Sequence, residues 1–191
     1  TDKVVSSLDL NDNSSKLLAI VANKRGAQDA CAFEEISYLG YPLSVSEIFQ
    51  KRNTNTTIEQ SFNTLESIYL MASKKNKQLV VYLSMAFGNP YKESYHADKV
   101  SELVSKLNNM KIETIALSDT VGVSNPYNIT PLFDILISEY PSIEFGAHFH
   151  TTSDSWREKI DSAFKSGCRR FDSTLMGYGG CPMADNELLG N

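Results

Sequence analysis

The chain has 191 residues, 41% of them hydrophobic and 21% charged, which suits one globular domain with a sizeable core. Its formal net charge of −5 supplies no general attraction to nucleic acid or to an anionic membrane, which argues against a charge-driven DNA-binding module. No apolar run approaches the ~20 residues that cross a bilayer.

The three cysteines, Cys31, Cys168 and Cys181, are too sparse and irregular for a disulfide framework, so reduced thiols and a cytoplasmic setting are expected. Thr1-Asp2-Lys3 lacks the order of a secretory signal. With no initiator methionine, a processed or cut chain is expected.

Short β-type runs alternate with helical periodicity along the chain. Leu17 to Val21, Ile36 to Leu43, Leu79 to Leu83, Ile115 to Leu117, Ile143 to Ala147 and Arg170 to Asp172 each have the length of a strand buried on two faces. Between them, Ile58, Phe62, Leu65 and Tyr69 form one helical stripe. Val100, Leu103, Val104 and Leu107 form another, and Ile129, Leu132, Phe133 and Leu136 a third. Trp156, Ile160, Ala163 and Phe164 predict a last amphipathic helix, stopped by Lys165-Ser166-Gly167.

Such alternation predicts an α/β fold with a parallel sheet and right-handed crossovers. The pattern leaves two closures open, a doubly wound sheet and a (β/α) barrel. No glycine-rich nucleotide turn or phosphate loop is present. Polar residues instead collect where strands end, at Ser84, Asp119, His148, His150 and Cys181, and both closures keep their chemistry there.

His148-Phe149-His150 places two imidazoles at i and i+2, on one face of a strand. Paired imidazoles can hold a divalent metal, or can be two histidines that bind nothing. Asp119, at the end of Ile115-Ala116-Leu117-Ser118, can be a general base, a substrate hydrogen-bonding group or a turn former. Gly177-Tyr178-Gly179-Gly180-Cys181-Pro182 reads as a glycine-rich loop whose thiol is a proton donor or is inert. Cys168 is expected to pack and His96 to lie at the surface. Asn191 after Gly190 is a turn or an amide ligand.

Ser118-Asp119-Thr120-Val121-Gly122-Val123, Gly146-Ala147-His148-Phe149-His150 and Gly179-Gly180-Cys181-Pro182-Met183-Ala184, in this order, resemble hydroxymethylglutaryl-CoA lyases. Asn23-Lys24-Arg25-Gly26 looks like that family's turn after its third strand. Ser44 to Phe49 with Lys51 to Asn53 looks like the region after the fourth, and Tyr82 to Gly88 with Pro90-Tyr91 looks like the fifth. The resemblance covers almost the whole chain.

The resemblance implies a (β/α)8 TIM barrel, with residues 1–191 one partial catalytic domain covering about strands three to eight. The first two strands and the final helix are then expected to be missing, and this fragment alone to be inactive. The implied reaction is metal-assisted retro-Claisen cleavage of 3-hydroxy-3-methylglutaryl-CoA to acetyl-CoA and acetoacetate. His148, His150 and Asn191 are the implied ligands of Mg²⁺ or Mn²⁺, with Zn²⁺ a further option. Cys181, Asp119 and His148 are the implied catalytic residues, and Ser84, Gly179 and Gly180 the implied substrate contacts.

An acyl-CoA partner and a homodimer are also implied, and neither nucleic acid nor membrane. Isopropylmalate and homocitrate synthases, hydroxy-oxoacid aldolases and a silent acyl-CoA-binding barrel remain alternatives. Three departures are visible: Thr151-Thr152 where the family often has Asp-Thr, Asn89 where some relatives have cysteine, and a spacing from Cys181 to Asn191 one residue longer than in some members. These features look like a bacterial branch of the family.

Overall fold

A computed structural model describes residues 2–9 and 14–177. Cys181, Asn191, Gly179 and Gly180 therefore lie outside the described residues. The strands are β1 (Leu17–Ile20), β2 (Ile36–Ser44), β3 (Gln78–Ser84), β4 (Thr114–Asp119), β5 (Glu144–Phe149) and β6 (Arg170–Phe171). Every neighbouring pair is parallel, and the sheet runs β1-β2-β3-β4-β5-β6 in chain order. Strictly sequential parallel order is barrel order, since a doubly wound sheet reverses direction partway.

The helices are α1 (Asp2–Val5), α2 (Lys24–Cys31), α3 (Glu47–Thr54), α4 (Ile58–Lys74), α5 (Ala97–Asn109), α6 (Pro126–Glu139) and α7 (Trp156–Lys165). Among the described residues, no helix is long and apolar enough to cross a membrane.

Local chemistry accounts for where these helices start. Thr57 and Gln60 form a reciprocal capping box at α4, their bonds 3.1 and 3.0 Å long, and Asn125 with Asn128 does the same at α6, where Pro126 supplies the first residue. Both devices satisfy amides that a helix start leaves bare. Asn23 is the cap of α2, its Oδ1 accepting from the Gly26 amide at 2.8 Å. The segment expected as a turn after β1 is thus a helix start. Short helices such as α2 and α3 carry too few turns for a readable apolar stripe.

Period two along the strands divides the sheet into two faces. Leu39, Tyr41, Leu43, Leu79, Val81, Leu83, Ile115, Leu117, Phe145, Ala147 and Phe149 belong to one buried cluster with the apolar stripes of α4, α5 and α6. Helix α7 departs from its expected stripe. Trp156 is 47% and Phe164 52% exposed, whereas Lys159, Ser162 and Ala163 are buried. The buried face of α7 lies one position away from the one its large apolar residues suggest, and Lys159 is the reason.

The opposite face of the sheet carries small residues where large ones must cross it. A Cβ on Gly40 would sit 2.5 Å from Ile20 Cδ1 and 2.9 Å from Tyr82 Cε2, and one on Gly146 would sit 2.9 Å from Arg170 Cδ. These glycines are needed for close approach of neighbouring side chains. The inner face so formed holds Tyr82, Ser84, Ser118, His148 and, beyond β5, His150.

Candidate functional site

Along the inner face lies a cavity of about 1090 Å³ lined by Tyr82, Ser84, Ser118, Thr120, His148, His150 and Asp172, with Lys16, Phe49 and Asn53 at its side. Ser84 ends β3, His148 lies one residue before the end of β5, and His150 follows that strand. The C-terminal rim of the sheet therefore collects the polar groups, as both barrel and open α/β architectures do. The turn leaving β3 is bound to the one leaving β4. Buried Met85 has φ +60°, its amide donates to Thr120 Oγ1 at 2.9 Å, and the Ala86 amide donates to Ser118 O at 3.1 Å.

The His148 and His150 rings lie 5.9 Å apart, centroid to centroid. That separation is within the span of one ion bound at ~2.1 Å by each ring. The two rings are oriented by different means. His148 Nδ1 is 2.8 Å from Asp172 Oδ2, and His150 Nδ1 is 3.1 Å from the Asp119 carbonyl. Both partners are acceptors, so in the neutral rings Nδ1 carries the hydrogen and Nε2 the lone pair. Burial, ahead of the other influences on it, pushes the His150 pKa below its ordinary 6.5, which favours the neutral, lone-pair-bearing ring. Among the described residues no three His, Cys, Asp or Glu side chains converge as a metal site.

Asp119 ends β4. Its side chain is fully buried beside Lys159, 2.8 Å from Nζ, and accepts from Ser124 Oγ at 2.5 Å and from the Ser124 amide at 3.1 Å. Strand alternation sends this carboxylate to the helix layer with Ile115 and Leu117, away from the cavity. Among the described residues its carboxylate meets Lys159 and Ser124, and Asp119 is not among the residues that line the cavity. Asp119 reaches the site through its backbone carbonyl on His150. Lys159 also donates to the carbonyls of His150 at 3.0 Å and Gly122 at 3.1 Å, tying α7 to the rim.

Asp172 and Tyr82, which line the cavity, and Lys159, which supports its rim, were not singled out as site residues from the sequence. Asp172 was legible only as the end of a strand, although it stands two residues after Arg170 and so shares its face. Tyr82 is two residues before Ser84, and the same alternation points to it. Lys159 is a lysine inside an amphipathic helix, where a charged residue near an apolar stripe reads as solvated. His96, by contrast, is exposed as expected, and Cys168 is buried.

Asn89 organises the loop after β3. Its Oδ1 accepts from the amides of Tyr91 at 3.0 Å and Glu93 at 3.3 Å, and its Nδ2 donates to the Glu93 carbonyl at 3.2 Å. Glu93 in turn receives the Ile48 amide at 3.2 Å and the Ser46 hydroxyl at the start of α3. A thiol could not supply that set of bonds.

Residues 10–190 match the HMGL-like family model. The chain is 29% identical over 174 residues to a hydroxymethylglutaryl-CoA lyase of Bacillus subtilis, covering 87% of this chain and 55% of that protein. It is 34% identical over 167 residues to the cytoplasmic 3-hydroxy-3-methylglutaryl-CoA lyase of Rattus norvegicus, covering 86% and 48%. Among solved structures, an HMG-CoA lyase from Acinetobacter baumannii, in complex with coenzyme A and 3-methylmalate, superposes with a TM-score of 0.88 at 27% identity, covering 100% of this chain and 61% of that one. The chain thus spans about half to three fifths of the length of these relatives, and the six strands among its described residues form part of a TIM barrel. By the family model, the motifs and the fold together, the chain belongs to the HMGL-like family.

Proposed function

We propose that the protein carrying this chain cleaves 3-hydroxy-3-methylglutaryl-CoA to acetyl-CoA and acetoacetate with the help of a divalent cation, Mg²⁺ or Mn²⁺. The observation that carries the reading is the His148–His150 pair, at the rim of a barrel cavity with both Nδ1 atoms engaged by acceptors. Two neutral imidazoles are a fitting donor set for such an ion when oxygen ligands complete it. Asn191 is proposed as a third ligand. A bound cation would polarise and orient the substrate's oxygens.

The bond changes balance without a redox partner. The tertiary hydroxyl gives up its proton to solvent water, with His148 proposed to assist, its oxygen becomes the ketone of acetoacetate, and the carbon–carbon bond breaks. That bond's electron pair passes to the thioester enolate, which takes up a proton to become acetyl-CoA. Cys181 is proposed to deliver that proton, and Gly179 and Gly180 are proposed substrate contacts. Ser84, with Ser118 and Thr120, presents hydroxyls along the cavity to hold substrate oxygens.

With Nδ1 engaged by Asp172, His148 is proposed to act through Nε2, as a ligand of the cation and as a partner in proton transfer at the substrate hydroxyl. A positioned proton donor is worth ~10²–10⁴ in rate. An acyl-CoA is the proposed partner, and a homodimer the proposed assembly.

The test is acetyl-CoA release from hydroxymethylglutaryl-CoA by the full-length protein, with Mg²⁺ or Mn²⁺, beside a chelator control and His148→Ala. Metal-dependent release that disappears in the variant supports the reading. A folded full-length protein that releases no acetyl-CoA with either metal would refute it.

A further inference from the structure

The two histidines of the site are held by unlike partners, and that difference makes one of them separately adjustable. His150 leans on a backbone carbonyl, that of Asp119, which no substitution at that residue removes. His148 leans on a side chain. The Asp172 amide donates to the Ala147 carbonyl at 3.0 Å, prolonging the β5–β6 ladder by one residue past Phe171. Asp172 is thereby set beside His148 on the inner face, with its Oδ2 2.8 Å from Nδ1.

The carboxylate is itself supported from the barrel floor. Tyr82 meets the His148 ring edge-on, 5.3 Å between centroids and 76° between planes. Asp172 and Arg170 lie close enough to the Tyr82 hydroxyl to bear on its ionisation. Arg170 lies across Gly146, and its Nη1 is 3.3 Å from Glu144 Oε2. Space for this arrangement comes from Gly40 and Gly146, over which Tyr82 and Arg170 lie.

We infer that Asp172 is a positioning residue for His148, its carboxylate fixing both the tautomer and the ring plane that present Nε2 to the cavity. The inference rests on the metal-site reading above and deepens it by naming what holds one of the two ligands. A carboxylate behind a ligating imidazole raises the ring's basicity as well as orienting it, and loss of such a partner typically lowers metal affinity ~10–100-fold. His150, whose partner is untouched, serves as the internal control.

The experiment uses the full-length protein, Asp172→Ala and Asp172→Asn, with folding checked by circular dichroism. Mn²⁺ affinity is read from the electron paramagnetic resonance of the free ion, and the ring tautomers from long-range ¹H–¹⁵N spectra of the metal-free protein. Asp172→Ala is expected to weaken Mn²⁺ binding ~10–100-fold and to release His148, but not His150, from the Nδ1–H tautomer. Asparagine keeps an acceptor without the charge, so Asp172→Asn should hold the tautomer and fall between parent and alanine in affinity.

A parent that binds Mn²⁺, with an Asp172→Ala variant matching it within about twofold and an unchanged His148 tautomer, would overturn the inference alone. A parent that binds no Mn²⁺ would overturn the metal-site reading and the inference with it.

Discussion

Lys159→Met in the full-length protein removes the ammonium that joins α7 to the rim while keeping an unbranched apolar stem. The side chains of Lys159 and Asp119 are 3% and 0% exposed and meet at 2.8 Å, so water does not take over when one partner goes. Loss of one member of a buried pair typically costs about 3–5 kcal/mol, because the other charge stays buried and uncompensated. The bonds to the His150 and Gly122 carbonyls are part of that same loss and are not added to it. Ser124 continues to donate to the carboxylate, which places the expected value toward the lower end, about 3 kcal/mol.

Adding Asp119→Asn removes the stranded charge at nearly constant volume. Paired replacement of buried ions is often close to neutral, so the double variant should regain most of the loss. Urea unfolding followed by circular dichroism measures all four proteins, and the coupling energy follows from the cycle. A Lys159→Met loss below about 1 kcal/mol, or a double variant no better than the single, would show that the pair is not the buried, mutually dependent unit described.

Gly146→Ala should destabilise the protein by about 1–3 kcal/mol, since the new methyl would stand 2.9 Å from Arg170 Cδ; thermal unfolding checks this, and an unchanged Tm would mean Arg170 moves aside without cost. Cys168 is expected to resist alkylation by iodoacetamide at pH 8 in the native state and to react on unfolding, read by mass spectrometry. Burial pushes its pKa from 9.0 to about 11, outweighing the lowering effect of backbone hydrogen bonding at Arg170 and Ala147, and leaves roughly one thiolate in 10³ at that pH. The folded state holds this proton more tightly than the unfolded state, so the corresponding stability is present below pH 9 and fades as pH rises toward about 11.

Strand and helix order were legible because the apolar patterns are strong. All six expected strand runs coincide with β1 to β6 within a few residues, and the stripes of α4, α5 and α6 face the core as their spacing requires. The His148–His150 pairing on one face also follows from period two alone. Composition and alternation left the closure of the sheet open, because strands of both architectures look alike one at a time, and only the sequential order of hydrogen-bonded neighbours decides it.

The direction of Asp119 and the partners of the histidines belong to tertiary structure for a physical reason. A carboxylate at a strand end reads the same whichever face it takes, and the deciding partner, Lys159, is 40 residues away in sequence. Asp172 stands 24 residues from His148 and becomes its neighbour only when β6 pairs with β5. Sequence spacing determined which side chains share a strand face. Packing between strands and helices decided which of them meet, which carboxylate is turned away from the cavity, and which one stands behind a histidine.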